Sequence, residues 1–249
     1  MSEADGPEVG REATGAALDI ADWQLACRQR ALVYGWLSTL YAAEVPSKTL
    51  SAYFAGDAAP LLDGLAALGL DTEVRRLRAA LATLAEAQYP ALELAADFAQ
   101  LFLLDNKTGA SPYASVYDGE DPRFCGAAEA RMRAFLAGSA LAIRDEFKEP
   151  ADHLAIHLAI VARLAEQHGD ADDVGAAASD AAAFLRDALL VWLPGFASRC
   201  DGAKPQFDFY PALAALTLAF VRQDEFFLCD AAGGGDLSAS TARQKRGGA

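Results

Sequence analysis

Over residues 20–41 the chain sets Trp23, Cys27, Leu32, Tyr34, Trp36, Leu37 and Leu40 at helical spacing, and the pattern stops after Glu44 at Val45-Pro46. Similar periodicity predicts a short helix after Ser47, another from Pro60, and one capped by Asp71 that runs through Ala87 and ends before Tyr89-Pro90. Pro90 then opens ALELAADFAQLFLL, where its missing N–H is harmless in a first turn. Residues 105–126, DNKTGASPYASVYDGEDPRFCG, break the pattern with Gly109, Pro112, Gly119, Pro122 and Gly126. Helices are predicted again over 127–147, 150–167, 173–198 and 211–229, with no β-α alternation and no repeat between them.

Composition agrees with the pattern. Ala and Leu supply most of the apolar residues and only four Ile occur, so helix formers outnumber the β-branched residues that favour strands. The expected fold class is all-α: a single compact domain of about ten helices over 18–230, between disordered tails at 1–17 and 231–249. Both tails are small, polar and Gly-rich, with nothing at helical spacing to bury.

Net charge is −14, and no Lys/Arg cluster in the body of the chain tracks a phosphate backbone, which argues against nucleic acid and favours a cationic partner. Cys27, Cys125, Cys200 and Cys229 form no CxxC, so reduced thiols are expected rather than a zinc ribbon or a disulfide framework. The acidic start MSEADGPEVGRE is unlike a secretory signal, and no uncharged apolar run reaches the length of a membrane span, about 18–20 residues. A cytoplasmic protein without stable membrane insertion is the expectation. No GxGxxG or GxxxxGK(S/T) offers a nucleotide cradle.

The stretch KEPADHLAIHLAIVARLAEQ, residues 148–167, carries the first candidate chemistry. Pro150 fits a first helical turn, with Glu149 and Asp152 at the positive end of the dipole. The residues beyond are apolar on every face, as in a helix surrounded by others. His153 and His157, four apart, share a face and have the geometry to hold one metal ion. A catalytic zinc site needs a third ligand, though, and only His168 remains; HLAIH also lacks the glutamate that HExxH enzymes place after the first histidine. The competing assignment is a hydrogen-bonded core His157 behind a helix start closed by Asp152 and His153.

SPYASVYDGEDPRF adds Tyr113 and Tyr117, followed by Asp118, Glu120 and Asp121, on irregular backbone. Such a loop suits a peptide that is apolar in one part and cationic in another; alternatively its tyrosines pin the loop to the core. Leu94, Phe98, Leu101 and Phe102 form a stripe that reads as core, flanked by Glu93 and Asp97. Pro194 in LLVWLPGFASRC should kink its helix and marks a hinge or turn.

The order of these segments resembles the TorD family, the cytoplasmic chaperones of molybdenum-containing reductases exported by the twin-arginine route. The resemblance runs from RQRALVYGWLSTLYAAE through DFAQLFLL, PYASVY and EPADHLAIHLAIVARLAE to LLVWLPGFASRC and FDFYPALAALTLAF, and its most specific part is EPADH at 149–153 preceded by PYASVY at 112–117. It implies an all-helical protein without catalysis of its own. Such a protein binds the twin-arginine signal peptide and the apo form of a molybdoreductase, assists molybdenum cofactor insertion and prevents premature export. It places Glu149, Pro150, Asp152 and His153 in the binding motif, with Tyr113 and Tyr117 on the neighbouring loop; the acidic Asp118, Glu120 and Asp121 are matched to a cationic signal. The wording of both motifs is closest to the chaperones of trimethylamine-N-oxide reductase. No cofactor is implied for the chain itself beyond a weak association with GTP, and a homodimer formed by segment exchange is compatible with the loop at 105–126 and the hinge at Pro194.

Overall fold

The structure, a computed structural model, describes residues 19–104, 108–118, 125–139, 141 and 147–244, with the backbone alone beyond Gly233. Among the described residues there are ten α-helices and no strand: α1 (Ile20–Ala42), α2 (Ser47–Phe54), α3 (Ala59–Leu65), α4 (Asp71–Ala85), α5 (Pro90–Phe98), α6 (Ala127–Gly138), α7 (Leu154–His168), α8 (Val174–Phe184), α9 (Leu193–Ala203) and α10 (Phe209–Gln244). Wide π-type turns prolong α3, α5 and α8 over Ala66–Leu70, Ala99–Leu103 and Leu185–Leu190. None of the described helices is long and apolar enough to cross a membrane.

α10 is the axis of the core. Phe209, Tyr210, Ala212, Leu213, Ala214, Leu216 and Val221 are all buried, and α4, α8 and α9 pack around them. α7, expected to be surrounded by other helices, lies along α1 with Ala159 and Arg163 facing outward. The core is aromatic where α1, α5, α9 and α10 meet. Tyr41 sets its edge against Phe102 and Phe196 at 6.0 and 5.7 Å, and Phe102 meets Tyr210 at 5.1 Å. Edge-to-face contact of this kind adds to the area these large rings bury. The four cysteines are free, and burial raises the thiol pKa of Cys27 and Cys200.

Several boundaries move for identifiable reasons. α6 stops at Gly138 rather than near 147, where Ser139 turns extended and its hydroxyl bonds back to Leu136 O. The helix expected over 173–198 is broken at Val191-Trp192, and Pro194 sits in the first turn of α9, where a proline ring costs no hydrogen bond. Asp173 caps α8, accepting from Ala176 N at 2.9 Å, whereas Asp71, expected to cap α4, is the first residue of that helix and its side chain makes no cap bond. α10 continues past Cys229 to Gln244, beyond the end of its apolar pattern. The tail at 1–17 lies outside the described residues.

The turn between α9 and α10 is held by a buried carboxylate. Asp97 accepts from Gln206 N and Phe207 N at 2.9 and 2.8 Å, while Arg76 bridges Asp201 and Asp208 on either side of the turn. Lys204, in the left-handed region at φ 48, supplies the reversal.

Candidate binding site

The two sequence motifs meet. Pro112 O accepts from Leu154 N at 2.7 Å, Ala114 N donates to Asp152 O at 3.0 Å, and Tyr113 and His153 form an isolated antiparallel bridge. This pairing displaces the expected helix start. Pro150 and Asp152 lie in a turn closed by His153 N donating to Pro150 O, and α7 begins four residues later, at Leu154. Asp152 O and Leu154 N are spent on the loop, so the helical bonds start only at His153 O, which accepts from Ile156 N and His157 N. His153 becomes the N-cap, its Nδ1 accepting from Ala155 N at 3.1 Å.

Asp152 is fully buried. Its Oδ2 accepts from Ser115 N at 2.8 Å, while Oδ1 and the Ser115 hydroxyl have no hydrogen-bond partner among the described residues. His153 is also buried, its ring edge against Tyr113 at 5.0 Å and Phe147 at 5.4 Å. Glu149, Pro150 and Tyr113 are half-buried, and the Tyr113 hydroxyl donates to Glu149 Oε2 at 2.6 Å. That contact and burial both raise the phenol pKa. The motif thus has two layers: Asp152 and His153 fasten loop to helix from inside, and Tyr113, Glu149 and Pro150 lie above them within reach of solvent.

Tyr117 leaves the loop on the other side. It stacks on Trp192 at 5.7 Å with rings 26° apart, and the Arg199 guanidinium carbon stands 5.2 Å from its centroid. Gly195 makes room for it, since a Cβ there would stand 3.1 Å from Tyr117 Cδ1. Asp118 pairs with Arg131 of α6 at 2.7 Å. Glu120 and Asp121 lie outside the described residues.

His157, one turn into α7, is buried against Trp192 at 5.6 Å. Its Nδ1–H donates to His153 O at 3.2 Å. Burial drives the His153 pKa down to about 3 and that of His157 down to about 4, so both rings are neutral over the physiological range. One Nδ1 caps the helix and the other is tied to a carbonyl. Among the described residues no three His, Cys, Asp or Glu groups stand close enough to hold an ion.

Beyond Tyr117 the surface opens into a groove of about 710 Å³ between α6, α7 and α8 with its π-type extension. Met132, Phe135, Leu164, Phe184, Val191 and Trp192 supply apolar walls, and Asp118, Asp180 and Asp187 line it as carboxylates. Phe135 and Val191 are exposed, at 36% and 65%. The residues of α8 in this groove were not singled out in the sequence, where AAASDAAAFLRDALL reads as an ordinary alanine-rich helix. Asp180 and Asp187, seven apart and hence near one face, were the available signal.

The family model described as nitrate reductase delta subunit matches residues 67–198. A "Chaperone protein TorD" of Psychrobacter sp. (strain PRwf-1) is 38% identical over 213 residues, spanning 84% of this chain and 96% of that relative. TorD chaperones of Photobacterium profundum and Vibrio cholerae serotype O1 are 38% and 39% identical, each over 80% of this chain and over 94% and 92% of their own lengths. With a relative this similar along nearly its whole length, the chain belongs to the TorD family of chaperones.

Proposed function

We propose that this protein is a cytoplasmic maturation chaperone for a molybdoreductase of the trimethylamine-N-oxide reductase type. It holds the twin-arginine signal peptide and the unfinished enzyme while the molybdenum cofactor is inserted, and it prevents export before that step. Its chemistry is binding. The observation that carries this reading is the meeting of PYASVY with EPADH beside a groove that combines apolar walls with carboxylates. A twin-arginine signal has the complementary chemistry, a cationic start and an apolar stretch. Arginine paired with carboxylate is the strong, directional contact such a rim offers.

Within this reading Tyr113, Tyr117, Asp118, Glu149 and Pro150 are the half-buried residues available to a client, with Glu120 and Asp121 continuing the same loop in sequence. Asp152 and His153 act from below, by keeping the loop and the start of α7 in register. Isothermal calorimetry with the signal peptide of a partner reductase, with its twin-lysine version and with the apo-enzyme tests the proposal. Saturable binding of the arginine form that weakens with salt is expected. Absence of binding to all three would overturn it.

A further inference from the structure

The groove has a direction built into it. Three carboxylates line it, but they are not equivalent. Asp118 is already engaged by Arg131 at 2.7 Å, whereas Asp180 and Asp187 form no ion pair among the described residues. The nearest cation on their own element, Arg186, is turned to Glu225 of α10 at 2.7 Å. Between the two sides lie apolar walls from Phe135 and Val191, large side chains left exposed in the absence of an occupant.

A second observation lies in the wall. His168 lines the groove, and its buried Nδ1 has no hydrogen-bond partner among the described residues. A buried ring nitrogen beside a cavity is satisfied by a polar group brought in from outside.

We propose that this groove takes the signal peptide in one orientation, with its two arginines over Asp180 and Asp187 on α8 and its π-type extension, its apolar stretch along Phe135 and Val191, and a polar group of the peptide on His168 Nδ1. Asp180 and Asp187 are two helical turns apart, about 10 Å along the axis at 1.5 Å per residue. Adjacent arginines in an extended peptide leave the backbone on opposite sides, so their heads diverge and reach two separated carboxylates better than one. The Arg131–Asp118 pair closes the other side to cations, which sets the polarity. The inference rests on the peptide-binding proposal above and assigns the residues that read the arginine pair.

Fluorescence anisotropy of a labelled signal peptide distinguishes the two. The proteins are the wild type, Asp180→Asn/Asp187→Asn, Asp118→Asn and Ala188→Trp, a bulky change within the groove, each checked by circular dichroism. The Asn pair removes two exposed charges and should weaken binding about tenfold while flattening its salt dependence. Asp118→Asn, which breaks the pair with Arg131, should weaken binding less than the Asn pair does, and Ala188→Trp should abolish binding. If the wild type binds and the Asn pair stays within twofold of it, the orientation is wrong and the peptide-binding proposal survives. A larger loss from Asp118→Asn than from the Asn pair would reverse the assigned polarity. If the wild type itself binds no peptide, both proposals fall.

Discussion

Acidification from pH 7 to pH 5 should destabilise the fold through two histidines that lie under the motif. His153 and His157 take up a proton near pH 6.5 in the unfolded chain but only near pH 3 and 4 in the fold, because burial penalises the charged ring. The unfolded state therefore binds more protons throughout this interval, and stability falls as pH falls; it is fully present above about pH 6.5. Integrating between pH 7 and 5 gives a loss on the order of 2 kcal/mol per histidine, on the order of 4 together. Against a total of about 5–15 kcal/mol for a typical domain, that is a large fraction.

Urea unfolding followed by tryptophan fluorescence and far-UV circular dichroism at pH 7, 6 and 5 measures this directly. A His153→Asn/His157→Gln variant separates the effect from the rest of the titration: asparagine is a good N-cap, and glutamine retains a donor for residue 153 O. Partial neutralisation of the many carboxylates affects both proteins equally. His168, also lowered by burial, remains in the variant and leaves a smaller residual slope. The reasoning fails if the wild type loses less than about 1 kcal/mol between pH 7 and 5, or if the double variant loses as much as the wild type.

Three further predictions concern parts of the scaffold. Asp97→Ala removes the acceptor of two buried N–H groups in the α9–α10 turn and should cost about 2–3 kcal/mol in a urea titration; a loss below about 1 would mean that the Arg76 bridges hold the turn alone. Gly195→Ala places a methyl 3.1 Å from Tyr117 and should lower the melting temperature slightly, by about 1 kcal/mol of stability, while weakening signal-peptide binding more than that; unchanged binding would separate Tyr117 from the site. The buried pair Arg30–Asp224, 2.7 Å apart with the Tyr34 hydroxyl on the same carboxylate, leaves both Arg30 Nη atoms without a hydrogen bond among the described residues. Asp224→Leu alone should cost about 3–5 kcal/mol, and Arg30→Met/Asp224→Leu should recover most of it; a double variant no better than the single would show that the ion pair is net stabilising.

The all-helical fold and most helix positions were legible because amphipathic periodicity and proline placement act locally. α5 starts at Pro90 and α8 starts next to Asp173, as the sequence indicates. What was not legible depends on partners distant in sequence. Pro150 has every local mark of a first-turn proline, yet the backbone of residues 152–154 pairs with 112–115, some forty positions earlier, and that pairing overrides the local preference. Asp152 reads as a charge at a helix start and is instead a buried acceptor for Ser115 N. Phe184 to Trp192 reads as one helix because a π-type turn keeps its residues helical while shifting which of them face the groove.

This layering changes how the motif should be understood. A binding surface must survive contact with an unfolded client, whose exposed apolar chain competes for the chaperone's own apolar contacts. Sealing Asp152 and His153 beneath the surface puts the most directional bonds of the motif where a client cannot reach them. Tyr113 and Glu149 above them are joined by a single hydrogen bond, which under the proposed function would be exchanged for one to the client. Loss of Asp152 would therefore be felt at Tyr117 and the groove through movement of the loop, rather than through a missing contact to the peptide. In the proposed function the internal pairing sets the geometry, and the half-buried residues and the groove that it positions are what a client would meet.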